Sequence, residues 1–403
     1  MEHQTAPICP NARSSNGPHT SIGSPRRWSV PMFVLTNQPI PNRQPEATGK
    51  ILPHKTNPLC RTAQGSYTYS SMEPSEYEVR RLTPQDAAAI PELTTRVNGP
   101  DYIHPEVYHP ERLLSMNQSG RLLSVVAIHA GTDVVGHAAL ERPDQEPYAE
   151  SGEAMVLPEH RHHHLLDRMK EMLDAQGREI GLTGIFGNAV THHVFSQLTE
   201  ERAKAQPTAI LLGSSPAAAH QLKDFPQRVT LITYFKYTSV PGPAKLHLPL
   251  RHRALAERIF QGTGRQVEFP DSQSAGTSGD SSRIDSSYDS HLKQGNIKVL
   301  AAGHDAGLRI SDAEHMFRTQ GAEVVFAELP LQEPTTVPLC EVMEKRGFFF
   351  CGFAPRDPQT RDRLLLQKLM VPLDVARVQL ASEFARELLA YIAAERLRAS
   401  VNE

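Results

Sequence analysis

Cysteine is scarce in this 403-residue chain, and its four residues, Cys9, Cys60, Cys340 and Cys351, show no C-x-x-C spacing. That excludes a disulfide-built scaffold and a Cys-rich zinc module, and it points to a reducing, cytoplasmic setting. Long apolar runs are absent as well. No stretch approaches the roughly 18 residues that a membrane-spanning helix needs, so an integral membrane role is not expected. An excess of one charge is missing too, with 42 Lys and Arg against 45 Asp and Glu and a net charge of −3. The chain therefore has no broad attraction to nucleic acid or to an anionic membrane, and neither is an expected partner. Acids are nearly missing from the start of the chain, where Glu2 and Glu46 are the only ones before Glu73. This opening is rich in Pro, Ser, Asn and Thr, which bury little apolar surface, so a disordered tail is expected over 1–74. Its Arg content and the pair Arg26-Arg27 before WSVPMFVL resemble transit or export signals only faintly. The plainer reading is a tail or an over-extended start, with folding begun near Met72.

What is present becomes regular from Tyr77. YEVRRL alternates like a strand, and Thr83-Pro84-Gln85-Asp86 supplies a cap, a first-turn Pro and an acid ahead of Ile90, Leu93 and Val97 on one helical face. RLLSVVAI and VVGHAAL, joined by Gly131-Thr132-Asp133, read as a hairpin. GEAMVLP is a strand ended by Pro158. Leu165, Met169, Met172 and Leu173 then fall at helical spacing, closed by Gly177. Further strands and a short helix through His192 to Thr199 complete an α+β unit over 75–240, and Pro241-Gly242-Pro243 marks a linker. A second unit of related texture is expected over 244–373, with a low-complexity insert at 270–282 and a capping box at Ser311 to Glu314. An amphipathic helix over 374–403 closes the chain.

The stretch MVLPEHRHHHLLDRM, Met155 to Met169, crowds His160, His162, His163 and His164 between a strand and a helix. Three readings stand at this point. His160 and His164 at i,i+4 on one helix would present two imidazoles to a metal, although neither H-E-x-x-H nor a Cys pair accompanies them, and no metal is expected. The histidines are alternatively a solvated helix start. In the third reading the helix N-terminus, with unsatisfied amides at its positive dipole end, cradles phosphate.

The strand ending in VLPEHR with the helix directly after it resembles the GCN5-related N-acetyltransferase (GNAT) superfamily over roughly Tyr77 to Tyr237. In that family the fourth strand runs into a loop of Arg or Gln, two residues, Gly, one residue, Gly or Ala, which holds the pyrophosphate of acetyl-coenzyme A. The pattern falls here on Arg161, with His164 and Leu166 at the glycine positions. LCEVMEKRGFFFCGF and RLLLQKLMVPLD resemble the closing part of the same fold, so the resemblance implies two GNAT-like α/β domains with mixed, mostly antiparallel sheets behind the tail.

The resemblance also implies acyl transfer from acetyl-CoA to a small-molecule or protein amine. The expected cofactor contacts are Met155, Val156, Leu157, Arg161, His162, His163, His164, Leu165 and Leu166. For the amide of residue 164 to meet phosphate, a helical φ is expected there, with the imidazole turned away or itself donating to the phosphate. The base candidates are Glu153 and Glu141. The family's Tyr in the helix after the fifth strand is missing from VTHHVFSQ, where Phe195 holds the aromatic place and Ser196 or His193 is left for the leaving group. Chains of similar texture accompany bacterial ATP-binding regulatory modules. An ATP-binding regulatory partner, and a non-catalytic ligand-sensing protein on the same fold, therefore stay open.

Overall fold

The computed structural model describes residues 76–142, 146–222, 224–270, 279, 281–356 and 361–400. The expected tail and most of the expected insert lie outside the described residues. The chain opens with β1 (Tyr77–Arg81), α1 (Pro84–Ala87), α2 (Ile90–Asn98) and α3 (Pro110–Gln118). Where the periodicity predicts one helix, three form. Pro at an early helical position starts each of them, because its fixed φ suits the first turn and its missing N–H is not needed there. The Asp86 carboxylate ties the first turn by accepting from the Thr83 amide and hydroxyl at 2.7 and 2.6 Å.

The meander β2 (Leu122–His129), β3 (Asp133–Glu141) and β4 (Tyr148–Val156) follows, with the expected hairpin between its first two strands. Next come α4 (Leu165–Glu179), β5 (Gly184–Val190), α5 (Phe195–Arg202), β6 (Gln206–Ser215) and β7 (Val229–Tyr237). The short helix expected from His192 starts only at Phe195. Beyond the linker lie β8 (Ala244–Lys245), α6 (Leu250–Gly262), β9 (Val267–Glu268), β10 (Arg283–Asp289) and β11 (Gln294–Ala301). The chain continues with α7 (Ala306–Thr319), β12 (Val324–Pro330), α8 (Thr336–Glu344), β13 (Phe349–Ala354), β14 (Arg363–Leu369) and α9 (Glu383–Ser400). The capping box expected at Ser311 to Glu314 is not one. Those residues sit inside α7, whose buried face already begins at Ala306 and Ile310. The closing helix is shorter than expected and starts at Glu383.

Among the described residues twelve strands form one sheet in the order β1-β2-β3-β4-β5-β7-β6-β13-β14-β12-β11-β10, while β8 and β9 pair separately. This corrects the expectation of two sheets. Only β4·β5 and β11·β12 are parallel within the large sheet. Read outward from the β6·β13 contact, one side runs 6-7-5-4-3 and the other 13-14-12-11-10, with the parallel pair in the same place. The join itself is narrow. β13 and β6 share one register position, Gly352 to Ala209, and the buried Gln367 side chain extends it by bonding both the amide and the carbonyl of Leu212 at 2.9 and 3.0 Å. One apolar core lies under β1 to β5 with α2, α3 and α4, and a second joins β6 and β7 to the strands and helices beyond the linker.

Candidate active site

β4 and β5 pair only from Tyr148 to Glu150 and from Gly184 to Phe186, after which they part. The β4 edge from Ser151 to Val156 therefore faces no strand on that side. The register shifts between His137 and Ala139 of β3, where β4 carries one extra residue as a β-bulge, and Glu153 within it takes a left-handed φ of 51°. At the fork the buried Lys170 of α4 reaches Ser151 Oγ at 3.0 Å and Glu200 of α5 at 2.7 Å, which fixes the helices on either side of the gap. Leu157 gives its amide to Val135 of β3 at 2.9 Å. Strand alternation then turns the Met155 amide to β3 and the Val156 amide to the open side. The Val156 carbonyl accordingly points outward and accepts from Arg161 Nε at 3.3 Å.

Pro158 ends β4 in a single 3₁₀ turn over Pro158–His160, and Arg161 returns to an extended backbone. His162 and His164 then adopt φ of 71° and 55°, and α4 starts at Leu165. The helical φ expected at residue 164 is thus overturned: the backbone takes the left-handed form that glycine adopts freely, and histidine holds it at a cost. The imidazole does turn away. It is 81% exposed, with Nδ1 3.2 Å from Asp167. Because residue 164 is not helical, His160 and His164 do not share a helix face, and the two-imidazole metal pair fails. His160 instead meets the Tyr77 hydroxyl at 3.0 Å, and the His163 ring lies 4.7 Å from the Tyr77 ring. Leu165 and Leu166 turn into the core, so any contact they make with a phosphate runs through their amides. Substituting glycine at both His162 and His164 is expected to stabilise the protein by about 1 kcal/mol in urea unfolding, relief of two left-handed residues outweighing the added chain entropy. A loss of stability would show that the imidazoles hold the loop.

Glu153 lies on the opposite face of the sheet from α4, in a polar cluster closed by the segment between α2 and α3. It is 1% exposed, His137 0% and His104 4%. His104 Nδ1 lies 3.8 Å from Glu153 Oε1 and 3.3 Å from Glu106, and His137 Nδ1 lies 3.8 Å from Glu153 Oε2. Both Glu153 oxygens, both His137 nitrogens and His104 Nε2 are buried without a hydrogen-bond partner. Burial pushes the Glu153 carboxyl up to about 8, against a smaller opposing pull from His104. Burial also drives His137 down to about 4, so that ring is neutral near pH 7. For His104, burial works against the charge, but Glu106, Glu153 and Glu141 outweigh it and raise the pKa. Glu141 and Glu150 face each other across β3 and β4, and burial raises both.

Ser196 is placed apart from this cluster. It sits buried in the first turn of α5, its hydroxyl has no partner, and no hydrogen bond joins it to Glu153. His193 meets the His192 ring beside it edge to face. Among the expected residues, the structure gathers Glu153 and Glu141 on one face, and Val156 with Arg161 at the open edge. Sequence reasoning misses His104, Glu106 and His137. Each is a lone residue in an unremarkable context, and only the folding of the segment between α2 and α3 over the bulge brings them to Glu153.

No described helix is long and apolar enough to cross a membrane. No protein-family model and no curated protein matches the sequence. Several solved structures are similar over part of the chain, and they include acetyltransferases of the GNAT family. The acetyltransferase YncA of Salmonella typhimurium, with its cofactor acetyl-CoA, shares 15% identity over 41% of this chain and 95% of its own, at a TM-score of 0.35. The ribosomal-protein-S18-alanine N-acetyltransferase of Escherichia coli shares 15% over 40% and 94%, at 0.33. The spermidine/spermine N-acetyltransferase SpeG of Vibrio cholerae shares 14% over 41% and 95%, at 0.33.

Proposed function

We propose that the first half of the chain is an acyltransferase that takes an acyl group from acetyl-CoA or a related thioester to an amine. The observation that carries this reading is the open β4 edge running, through a loop left-handed at residues 162 and 164, into the N-terminus of α4. An anionic cofactor fits such a place: the dipole end and the amides of residues 164 to 166 attract a pyrophosphate, and no side chain of the loop blocks it, since His164 points to solvent. Arg161 to Leu166 would hold that group, and Met155 to Leu157 would line the open edge. The cofactor supplies an activated thioester.

The Val156 amide is oriented to donate to the thioester carbonyl as negative charge gathers on its oxygen. Glu153, once ionised, takes the proton that the amine loses as its nitrogen bonds the carbonyl carbon. The carbon–sulfur bond then breaks, and its electron pair leaves with sulfur as a thiolate. Behind Glu153, His104 faces two carboxylates from one nitrogen, so a proton on Glu153 has a route to Glu106, whose other oxygen lies 3.8 Å from the exposed Arg112. Ser196 is too weak an acid to protonate a thiolate, and its part is at most a hydrogen bond. We also read the chain as two related units, 75–240 and 244–373, joined back to back. Support comes from the mirrored strand order; the second unit has no loop of the Arg161 type.

Calorimetric titration with acetyl-CoA tests the reading, and absence of binding at millimolar ligand would sink it. Binding followed by thiol release on an amine panel is the expected result. Saturable binding with no release above background would favour the ligand-sensing alternative, which the absence of a hydroxyl at Phe195 supports.

A further inference from the structure

Among the described residues two groups of histidine, cysteine and acid side chains converge closely enough to hold a metal, His252 with Cys340 and Glu344, and His104 with Glu106 and Glu153. The first is closed by its neighbours. Glu344 bonds Arg251 through Oε1 and Arg398 through Oε2 at 3.0 Å, and the Cys340 thiol donates to the same carboxylate at 3.4 Å.

The second group is shut from solvent, but its bonding is incomplete. One atom from each residue lies within 4.8 Å of the other two, with His104 Nδ1 3.3 Å from Glu106 Oε1 and 3.8 Å from Glu153 Oε1. The first spacing is a stretched hydrogen bond, and the second is beyond one. Both suit donors that share a cation, because two ligand atoms on a tetrahedral zinc with bonds of about 2.0–2.1 Å stand about 3.4 Å apart. Glu153 supplies an independent sign of a ligand. It is 1% exposed, and neither of its oxygens has a hydrogen-bond partner. A proton on one oxygen does not resolve this, since the new O–H needs an acceptor of its own and the other oxygen stays unpaired. The bulge in β4 also holds Glu153 in a left-handed backbone, a strained form for glutamate and of the kind that collects at ligand sites. His137 Nδ1 lies 3.8 Å from the other Glu153 oxygen and stands outside the three-atom group.

We propose that His104 Nδ1, Glu106 Oε1 and Glu153 Oε1 bind a zinc ion. The imidazole nitrogen in the set favours zinc over magnesium or calcium, which take oxygen ligands, and three ligands leave one tetrahedral position open. The expected absence of a metal was argued from the histidines at 160 to 164, none of which takes part. A carboxylate bound to zinc no longer takes up a proton near neutral pH, so the ion also switches acyl transfer off, and the ion-free chain is the one in which Glu153 serves as base. This consequence rests on the acyltransferase reading; the zinc site does not.

The test uses the full chain, produced without a His-tag and stripped with a chelator, and titrated by calorimetry with zinc chloride and separately with magnesium chloride. Saturable binding of zinc, and none of magnesium, is expected. Glu153→Gln and His104→Gln should each lose one equivalent of zinc or bind it more than about tenfold more weakly, since losing a ligand costs more than losing one of its outer partners. The double variant His160→Gln/His163→Gln should keep that equivalent. Glu153→Gln preserves the shape of the side chain, and circular dichroism checks its fold. Zinc should raise the urea midpoint of the parent chain more than that of Glu153→Gln, because an ion held only by the folded state stabilises it. No saturable zinc binding, an unchanged equivalent in Glu153→Gln, or its loss in the loop variant instead overturns the site. Thiol release measured on the same samples separates the two readings. Release by the stripped protein that zinc abolishes supports both, and release that persists at full zinc occupancy overturns the switch. Zinc binding with no release from the stripped protein supports the site and strikes the acyltransferase reading.

Discussion

Gly352→Ala is expected to break the join between the two halves of the sheet. The φ at this position is 142°, and an added Cβ would lie 2.3 Å from Ala209 Cα and 2.5 Å from the Thr208 carbonyl. Neither neighbour is the end of a flexible side chain. Relief requires β6 and β13 to separate at their one shared register position, and the Gln367 bonds to Leu212 stretch with them. The cost is on the order of 4 kcal/mol, from steric overlap in a packed interior and from a backbone angle that L-residues avoid. Gly131→Ala is the control, because its φ is also positive, at 83°, with nothing within 4 Å of the added carbon. Its cost is the dihedral alone, about 1 kcal/mol. Urea unfolding of the two variants checks the difference; equal losses would mean that the β6·β13 contact carries no weight.

Glu153→Gln is expected to move activity and stability in opposite directions. The folded-state pKa of about 8 lies above the ordinary carboxylate value of 4.5. Between those values the folded protein holds a proton that the unfolded chain has released, so stability present below about pH 4.5 is lost as pH rises to about 8. At pH 7 the penalty is on the order of 3 kcal/mol for a fully buried group. Gln, which cannot ionise, escapes that penalty, so the variant's midpoint in urea should rise, and more so at pH 8 than at pH 5. Turnover should fall about a hundredfold or more, since a general base contributes typically 10² to 10⁴ in rate. In the parent protein the acyl-transfer rate should climb with pH until about 8 and then level, as Glu153 ionises. The groups facing Glu153 are Tyr102, His104 and Glu106 from the segment before α3, and His137 and Glu141 from β3. A Gln variant that loses stability at pH 8 would remove Glu153 from the buried, charge-averse setting on which both expectations rest.

Much of the local structure is legible from spacing. The alternation in β1, the hairpin of β2 and β3, the Pro-ended β4 and the periodicity of α4 each follow from side-chain pattern and turn chemistry within one segment. Boundaries fare worse where two signals compete, as at Ser311 to Glu314, where a capping pattern lies within an apolar face that starts earlier. The loop shows a different limit. Arg161 and the glycine positions are visible in the sequence, but histidine at 162 and 164 argues locally against the left-handed backbone that the surrounding strand and helix impose.

By itself the sequence determined the strand, Pro158, Arg161 and helix that frame the proposed cofactor loop, because those depend on neighbours within a few residues. Only the tertiary structure decided that the two halves share one sheet through Gly352, and that His104, Glu106 and His137 enclose Glu153. Both depend on contacts between segments distant in the chain. Close backbone approach and burial of charge are properties of the folded interior, and no local pattern of residues encodes them.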